Sequence, residues 1–324
     1  MQYRKLGNSG IDVSVVGLGT WAIGGWAWGG TEEKESIDAI HAAIEAGINF
    51  IDTAPMYGMG ISEEFVGKAV AGKRDKVVLA TKCGLVWDTD KGEYFFNADG
   101  HKVDRYLGPE SVKREVEASL KRMNVDCIDL MQTHWQDPTT PIADTMAVLM
   151  DLKAQGKIRA IGASNATIDQ LEEYKAAGEI DSDQELFSML DTKMADEKQL
   201  DYCAANNIAV LPYSPMALGL LTGKIDPDRK FNGDDLRINN PRFQPENIRK
   251  VNAMLDSFRP ISEAHNATIA QTVIAWTFSH TGVTSVLCGG RKRYQALENA
   301  AAGDIVLSPE ELAQINKAVA SLEI

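Results

Sequence analysis

Four polar residues stand where short apolar runs end or have just ended. Asp52 closes "FID", Tyr57 follows in "APMYG", Lys82 follows "VVLAT", and His134 follows "LMQT". Their types complement one another. A phenol has a pKa near ~10 and shuttles protons poorly at neutral pH, but an ammonium beside it favours the phenolate. Lys82 suits that part, and Asp52 would compensate the ammonium if both were buried. His134 would hold a substrate oxygen by donating a hydrogen bond. The set makes a general-acid device for carbonyl reduction, in which hydride reaches carbon while Tyr57 protonates oxygen. Singly, each residue has a plainer reading: a turn-capping Asp, a solvated Lys, a satisfied core His. Their joint placement at strand ends carries the argument.

The elements that must position them read as an alternation of β-branched runs and helical segments. Candidate strands cover residues 15–19, 50–52, 77–81, 128–132, 160–163, 184–187, 209–213 and 285–288. Candidate helices cover 33–46, 62–70, 109–123, 142–155, 168–177, 197–206 and 269–279. Eight strands, each followed by a helical segment, predict a (β/α)8 barrel, whose strand C-terminal ends supply the active site. The opening "YRKLGNSGIDVSVV" reads as a hairpin about Asn8-Ser9-Gly10 that plugs the barrel floor. The closing "LSPEELAQINKAVASL" reads as a terminal helix with Ser308 at its start. Residues 87–108 and 224–245 lack regular period and are expected as long loops over the same face. Barrels reach this size as one domain, so residues 1–324 are read as a single unit.

Composition limits the alternatives. Hydrophobic residues make up 44% and charged residues 24%, as in a soluble globular protein. A net charge of -13 would repel a phosphate backbone, so nucleic acid is not an expected partner. The dense basic run Arg291-Lys292-Arg293 suits one phosphate group rather than a polymer. The start, "MQYRKLGNSG", has no signal-peptide pattern and no run is long enough to span a membrane, so a cytoplasmic protein is expected. Cys83, Cys127, Cys203 and Cys288 are far apart and read as free thiols. The five histidines are too scattered for a metal-dependent hydrolase, and no metal is expected. Gly17 and Gly19 are followed by Ala22 where a dinucleotide fingerprint would have its third glycine, so a Rossmann site is not supported.

The ordered segments "GLGTW", "DTAPMYG", "ATKCG", "QTHWQDP", "GASN", "LPYSPMALGLLTGK" and "CGGRKRYQALENA" resemble the aldo-keto reductase family, in the branch that includes bacterial reductases and potassium-channel β subunits. The resemblance runs from about Tyr3 to about Ala302. It implies that Asp52, Tyr57, Lys82 and His134 are a catalytic tetrad with Tyr57 as proton donor. It implies a nicotinamide dinucleotide in extended form across the barrel mouth. Gly19, Thr20, Trp21 and Asp52 would meet it; Ser164, Asn165 and Gln184 would bind the carboxamide, and Tyr213 would stack on the ring. Ser214, Pro215, Leu218, Gly219 and Lys224 would fold over the pyrophosphate. Gly289, Arg291, Gln295, Glu298 and Asn299 would hold the adenosine end. Arg291 and its neighbours would meet a 2′-phosphate, which favours NADP(H), with NAD(H) as the alternative. The sequence departs from many relatives at Phe187-Ser188 and at Cys288–Gly290. Trp21, Trp26, Trp28, Trp87 and Trp135, with Tyr57 and His134, are expected to wall the substrate pocket. The expected activity is reduction of an aldehyde or ketone, including sugar-related ones, or oxidation of a polyol in reverse. The competing reading is a nicotinamide-binding regulatory or sensor subunit with weak reductase activity.

Overall fold

The computed structural model describes residues 1–324, and eight parallel strands form its centre: β1 (Val16–Gly19), β2 (Phe50–Asp52), β3 (Val78–Cys83), β4 (Ile128–Thr133), β5 (Ile158–Ser164), β6 (Ser182–Gln184), β7 (Ala209–Val210) and β8 (Val286–Gly289). Neighbours in sequence are neighbours in the sheet, and β8 returns to pair with β1 from Val286 opposite Val16 to Gly289 opposite Gly19. The remaining seam is closed by backbone bonds. Val210 N donates to Gly282 O, Thr284 N to Val210 O and Leu287 N to Pro212 O, at 3.2, 2.8 and 2.9 Å. The sheet is therefore a (β/α)8 barrel.

Apolar burial explains both layers. Outside the strands, one cluster of 64 buried residues unites strand and helix faces. Inside, a separate cluster of 11 residues includes Phe50, Val78, Leu130 and Leu287 from the strands and Leu6, Ile11 and Val13 from the N-terminal chain. Those last three flank or belong to the antiparallel hairpin Tyr3–Lys5 and Asp12–Ser14, which plugs the barrel as expected. The terminal helix Pro309–Ala320 begins with a capping box between Ser308 and Glu311. No helix is long and apolar enough to cross a membrane. The four cysteines are free thiols.

Several expectations are corrected. The sixth strand lies at Ser182–Gln184 rather than 184–187, because a polar strand lining the barrel interior shows no apolar run. The seventh regular strand is only Ala209–Val210 rather than 209–213, although Leu211 N and Tyr213 N still donate to Asp183 O and Glu185 O at 2.9 Å. Residues 87–108 are not an irregular loop. They carry Glu93–Ala98 and His101–Arg105, which with Leu85–Val86 form a three-stranded antiparallel sheet. Its tight turn is Asp99-Gly100, with both residues at positive φ, a hairpin signal present in the sequence. Helices Pro245–Ser257, Arg259–Ala264 and Arg293–Ala301 add to those expected, and residues 224–244 remain largely irregular.

Candidate active site

Strand register builds the floor of the mouth. Pairing sets Asp52 opposite Ala80 and Lys82 opposite Gln132, so residues from β2, β3 and β4 end at one level. Lys82 Nζ donates to Asp52 Oδ1 at 2.7 Å, to Thr53 O at 2.9 Å and to Tyr57 Oη at 3.1 Å. All three ammonium hydrogens thus have acceptors. The side chain is 0% exposed and that of Asp52 3%, and such satisfaction makes a buried ion pair tolerable.

The electrostatics follow from burial. Desolvation would push the Lys82 ammonium down, but the Asp52 carboxylate and the Tyr57 oxygen outweigh it and hold Lys82 above its ordinary value. Burial raises Tyr57, and the nearby Lys82 charge only partly offsets it. Lys82 does pull the phenol down, as expected, but burial outweighs it, and the phenol stays protonated at neutral pH. Burial, then the Lys82 charge, hold His134 well below its ordinary value, so the imidazole is neutral. Its ring stands edge-on to Tyr57 with centroids 5.9 Å apart. These groups form a neutral donor pair over a buried cation.

Two features of this floor went unread in the sequence. Gln132 Nε2 donates to Asp52 Oδ2 at 3.2 Å, and Gln184 Nε2 donates to the same oxygen at 2.9 Å. A glutamine inside a β-run gave no signal of its own. The second feature is a close approach of loops that sets Tyr57. A Cβ on Gly24 would lie 2.6 Å from Tyr57 O, and one on Gly58 would lie 2.2 Å from Gly24 O. Gly58 also has φ +68°, so only glycine fits there without strain.

Beside the floor, Tyr213 Oη donates to Asn165 Oδ1 at 2.9 Å, and Asn165 Nδ2 donates to His134 O at 3.1 Å and Ser164 Oγ at 3.0 Å. Asn165 has φ +56°, a conformation asparagine tolerates better than most residues. Further along, Ser214, Ala217, Leu218 and Gly219 all take positive φ, which coils the chain tightly after β7. Lys224 pairs with Glu298 at 2.7 Å. Gln295 Oε1 accepts from Arg291 N at 2.9 Å, and Asn299 Nδ2 donates to Gly289 O at 3.1 Å.

A cavity of about 540 Å3 joins these parts. Its wall includes every residue expected to meet a dinucleotide, from Gly19, Thr20 and Trp21 through Pro215 to Asn299. Trp26, Trp28, Tyr57, His134 and Trp135 also line it. Two expected residues do not. Lys82 sits behind Tyr57, and Trp87 packs against the small apolar cluster of Met56, Leu85, Ala98 and Val103 under the three-stranded sheet. That sheet instead contributes Phe96, stacked on Trp26 with centroids 6.1 Å apart. Arg229 and Arg237 reach the wall from the irregular stretch, and Arg237 lies 5.2 Å from the Trp28 ring centroid.

The basic run separates. Arg291 lines the cavity, with Nη1 donating to Trp28 O at 2.9 Å and Gly30 O at 3.1 Å. Lys292 and Arg293 turn to the helix Glu33–Glu45, where Glu35, Asp38 and Glu45 pair with them.

A barrel with a buried lysine–aspartate pair under a tyrosine and a histidine, at the mouth of an extended cavity, defines an oxidoreductase class. Sequence comparison agrees: the profile of the Aldo/keto reductase family matches residues 15–320, and the chain belongs to that family. It is 43% identical over 329 residues to an NADH-specific methylglyoxal reductase of Escherichia coli, covering 100% of both chains. Its fold matches the glycerol dehydrogenase AKR11B4 of Gluconobacter oxydans with a TM-score of 0.86 and 37% identity, over 96% of this chain and 92% of that one. An aldo/keto reductase of Klebsiella pneumoniae solved with NADP and acetate matches at TM-score 0.74 and 27% identity, over 96% and 93%. Family members use a nicotinamide cofactor to interconvert carbonyls and alcohols.

Proposed function

We propose that this chain is a nicotinamide-dependent reductase of aldehydes and ketones, with Tyr57 as proton donor. The observation that carries the reading is the Lys82 Nζ to Tyr57 Oη contact of 3.1 Å on the floor of the cavity. The residues fit a dinucleotide. A Cβ on Gly289 or Gly219 would meet nothing within 4 Å, so backbone there borders open space, and Lys224, Arg229 and Arg291 supply positive charge along the wall. When bound, a reduced nicotinamide supplies the hydride. Ser164, Asn165 and Gln184 orient its carboxamide, and Tyr213 offers a flat aromatic surface. Gln184 spends its Nε2 on Asp52 and Gln132, which leaves Oε1 to accept.

At the substrate end, His134 and Tyr57 donate to the carbonyl oxygen. Tyr57 transfers its proton as negative charge develops there, and the Lys82 ammonium stabilises the phenolate left behind. Asp52, braced by Gln132 and Gln184, keeps Lys82 in place. Trp21, Trp26, Trp28, Phe96 and Trp135 exclude water around the carbonyl. This wall suits a small carbonyl with an apolar or planar body better than a sugar. The Escherichia coli relative's name points to a small dicarbonyl of that kind.

The cofactor preference rests on Arg291. Its Nη2 and Nε are left for a 2′-phosphate, which supports NADP(H). The acid partners of Lys292 and Arg293 remove two of the three cations on which that preference was based, and the relative's NADH-specific name points the same way. NAD(H) is therefore the second reading.

The test is consumption of NADPH or NADH with methylglyoxal and with an aromatic aldehyde, wild type against Tyr57→Phe. Turnover by wild type, and quenching of cofactor fluorescence without turnover by the variant, is the expected result. Binding of neither cofactor by wild type would overturn the reading.

A further inference from the structure

Two carboxyl groups, Asp183 on β6 and Glu185 two residues on, lie together with no cation between them. Alternation along a strand puts such positions on one face. Asp183 is fully buried. Its Oδ2 accepts from Gln199 Nε2 at 2.8 Å and faces the Cys203 thiol at 3.8 Å. Its Oδ1 is buried and receives no N–H or hydroxyl. Glu185 Oε1 accepts from Ala166 N at 2.8 Å, and Gln199 Nε2 also donates to Ala166 O at 2.8 Å. Both backbone polar groups of Ala166 are thus held, its N–H by Glu185 and its carbonyl by the Gln199 amide that also binds Asp183. Glu185 O accepts from Tyr213 N at 2.9 Å, so the same residue anchors the other half of the nicotinamide platform.

A buried carboxylate oxygen left without a donor is costly. A proton on Glu185, donated to Asp183 Oδ1, supplies the missing partner. We propose that Asp183 and Glu185 share one proton, and that the pair is a positioning device holding the Asn165–Ala166 turn against Tyr213. The inference rests on the reading of that turn as the carboxamide site.

Burial raises both carboxyls, and the Asp183 charge raises Glu185 further, which assigns the shared proton to Glu185. The titratable groups facing the pair are the Cys203 thiol and the Tyr213 phenol, both raised by burial and uncharged. No lysine or arginine is among the groups that shift either carboxyl. Removing the proton at alkaline pH would set two like charges side by side, and the turn would loosen. Dinucleotide affinity should then fall from neutral to strongly alkaline pH.

The experiment compares Kd for NADPH and NADH, by fluorescence across that pH range, in wild type, Glu185→Gln and Glu185→Leu. Glutamine can donate to Asp183 Oδ1 and accept from Ala166 N without a titrating proton. The wild-type Kd should rise by roughly fivefold or more at alkaline pH, the lower end of ordinary coupling. Glu185→Gln should bind like wild type at neutral pH with a flat profile, and Glu185→Leu should bind weakly throughout. A flat wild-type profile, or a fall shared by Glu185→Gln, overturns the proposal. Infrared difference spectra add a readout that needs no cofactor: a protonated-carboxyl band in wild type at neutral pH, lost in Glu185→Gln. Absence of that band overturns the shared proton. A band with no dinucleotide binding at any pH overturns the positioning role together with the reading it rests on. A band with a flat binding profile overturns the positioning role alone.

Discussion

The floor of the cavity and its opposite end, where the adenosine of a dinucleotide is proposed to lie, answer the same problem, holding charge in place, in opposite ways. On the floor, Lys82 and Asp52 are buried and every polar atom of the lysine is matched by a fixed strand or loop. At the opposite end, Lys224, Lys292 and Arg293 lie in solvent and pair with carboxylates brought from other helices or loops. Low dielectric makes the first set strong and intolerant of change; screening makes the second weak and replaceable. Chemistry should therefore be fragile at the floor, and cofactor preference adjustable at the rim.

The largest expected effect is at the floor. Tyr57→Phe removes the proposed proton donor and should lower kcat by about 10²–10⁴-fold, the usual worth of a positioned acid, with dinucleotide fluorescence quenching retained. Steady-state turnover with saturating aldehyde measures it. The sign of the pH dependence follows from the raised Tyr57. Reduction needs the phenol protonated, so its kcat should hold through neutral pH and decline only on the alkaline side. An optimum for reduction with a depressed tyrosine would remove the case for burial as the dominant influence.

Lys82→Met should come next. It leaves Asp52 as an uncompensated buried charge and should cost about 3–5 kcal/mol of stability, the range for breaking one side of a buried pair. Urea unfolding followed by tryptophan fluorescence reads this directly. A loss no larger than that of a surface substitution would mean that water reaches the floor.

What the sequence disclosed follows the same division. The cluster of Asp52, Tyr57, Lys82 and His134 was legible because each member sits at or just beyond the end of an apolar run, and the barrel brings such ends to one level. Gln132 and the Gly24–Gly58 contact were not, because they matter only through partners distant in the chain. The three-stranded sheet was missed although Asp99-Gly100 announces its turn, since charge and aromatics in residues 87–108 masked the alternation. At the rim, Arg291-Lys292-Arg293 read as one cluster. Only the helix geometry reveals that Arg291 lines the cavity while its neighbours turn to Glu35, Asp38 and Glu45.

Arg291→Gln sharpens the contrast. Loss of a charge-assisted hydrogen bond to a 2′-phosphate, about 1.5–3 kcal/mol, should raise the KM for NADPH roughly tenfold or more relative to that for NADH. The ratio of the two KM values is the readout, because loosening of Trp28 and Gly30 would affect both cofactors alike. An unchanged ratio would assign the site to NAD(H).

The smallest effect is expected for Glu298→Gln. The Lys224–Glu298 pair has short contacts, but the lysine side chain is 57% exposed, so water screens the attraction and ordering two long side chains offsets part of it. Stability should change by less than about 1 kcal/mol, and added salt should weaken the pair in wild type to a similar extent. The same unfolding measurement used for Lys82→Met makes the two directly comparable. If Glu298→Gln cost as much as Lys82→Met, the rim would share the cooperative core of the floor, and cofactor preference could not be altered there without unfolding the barrel. A small loss, with cofactor affinity little changed, leaves Arg291 as the rim residue that decides which dinucleotide is used.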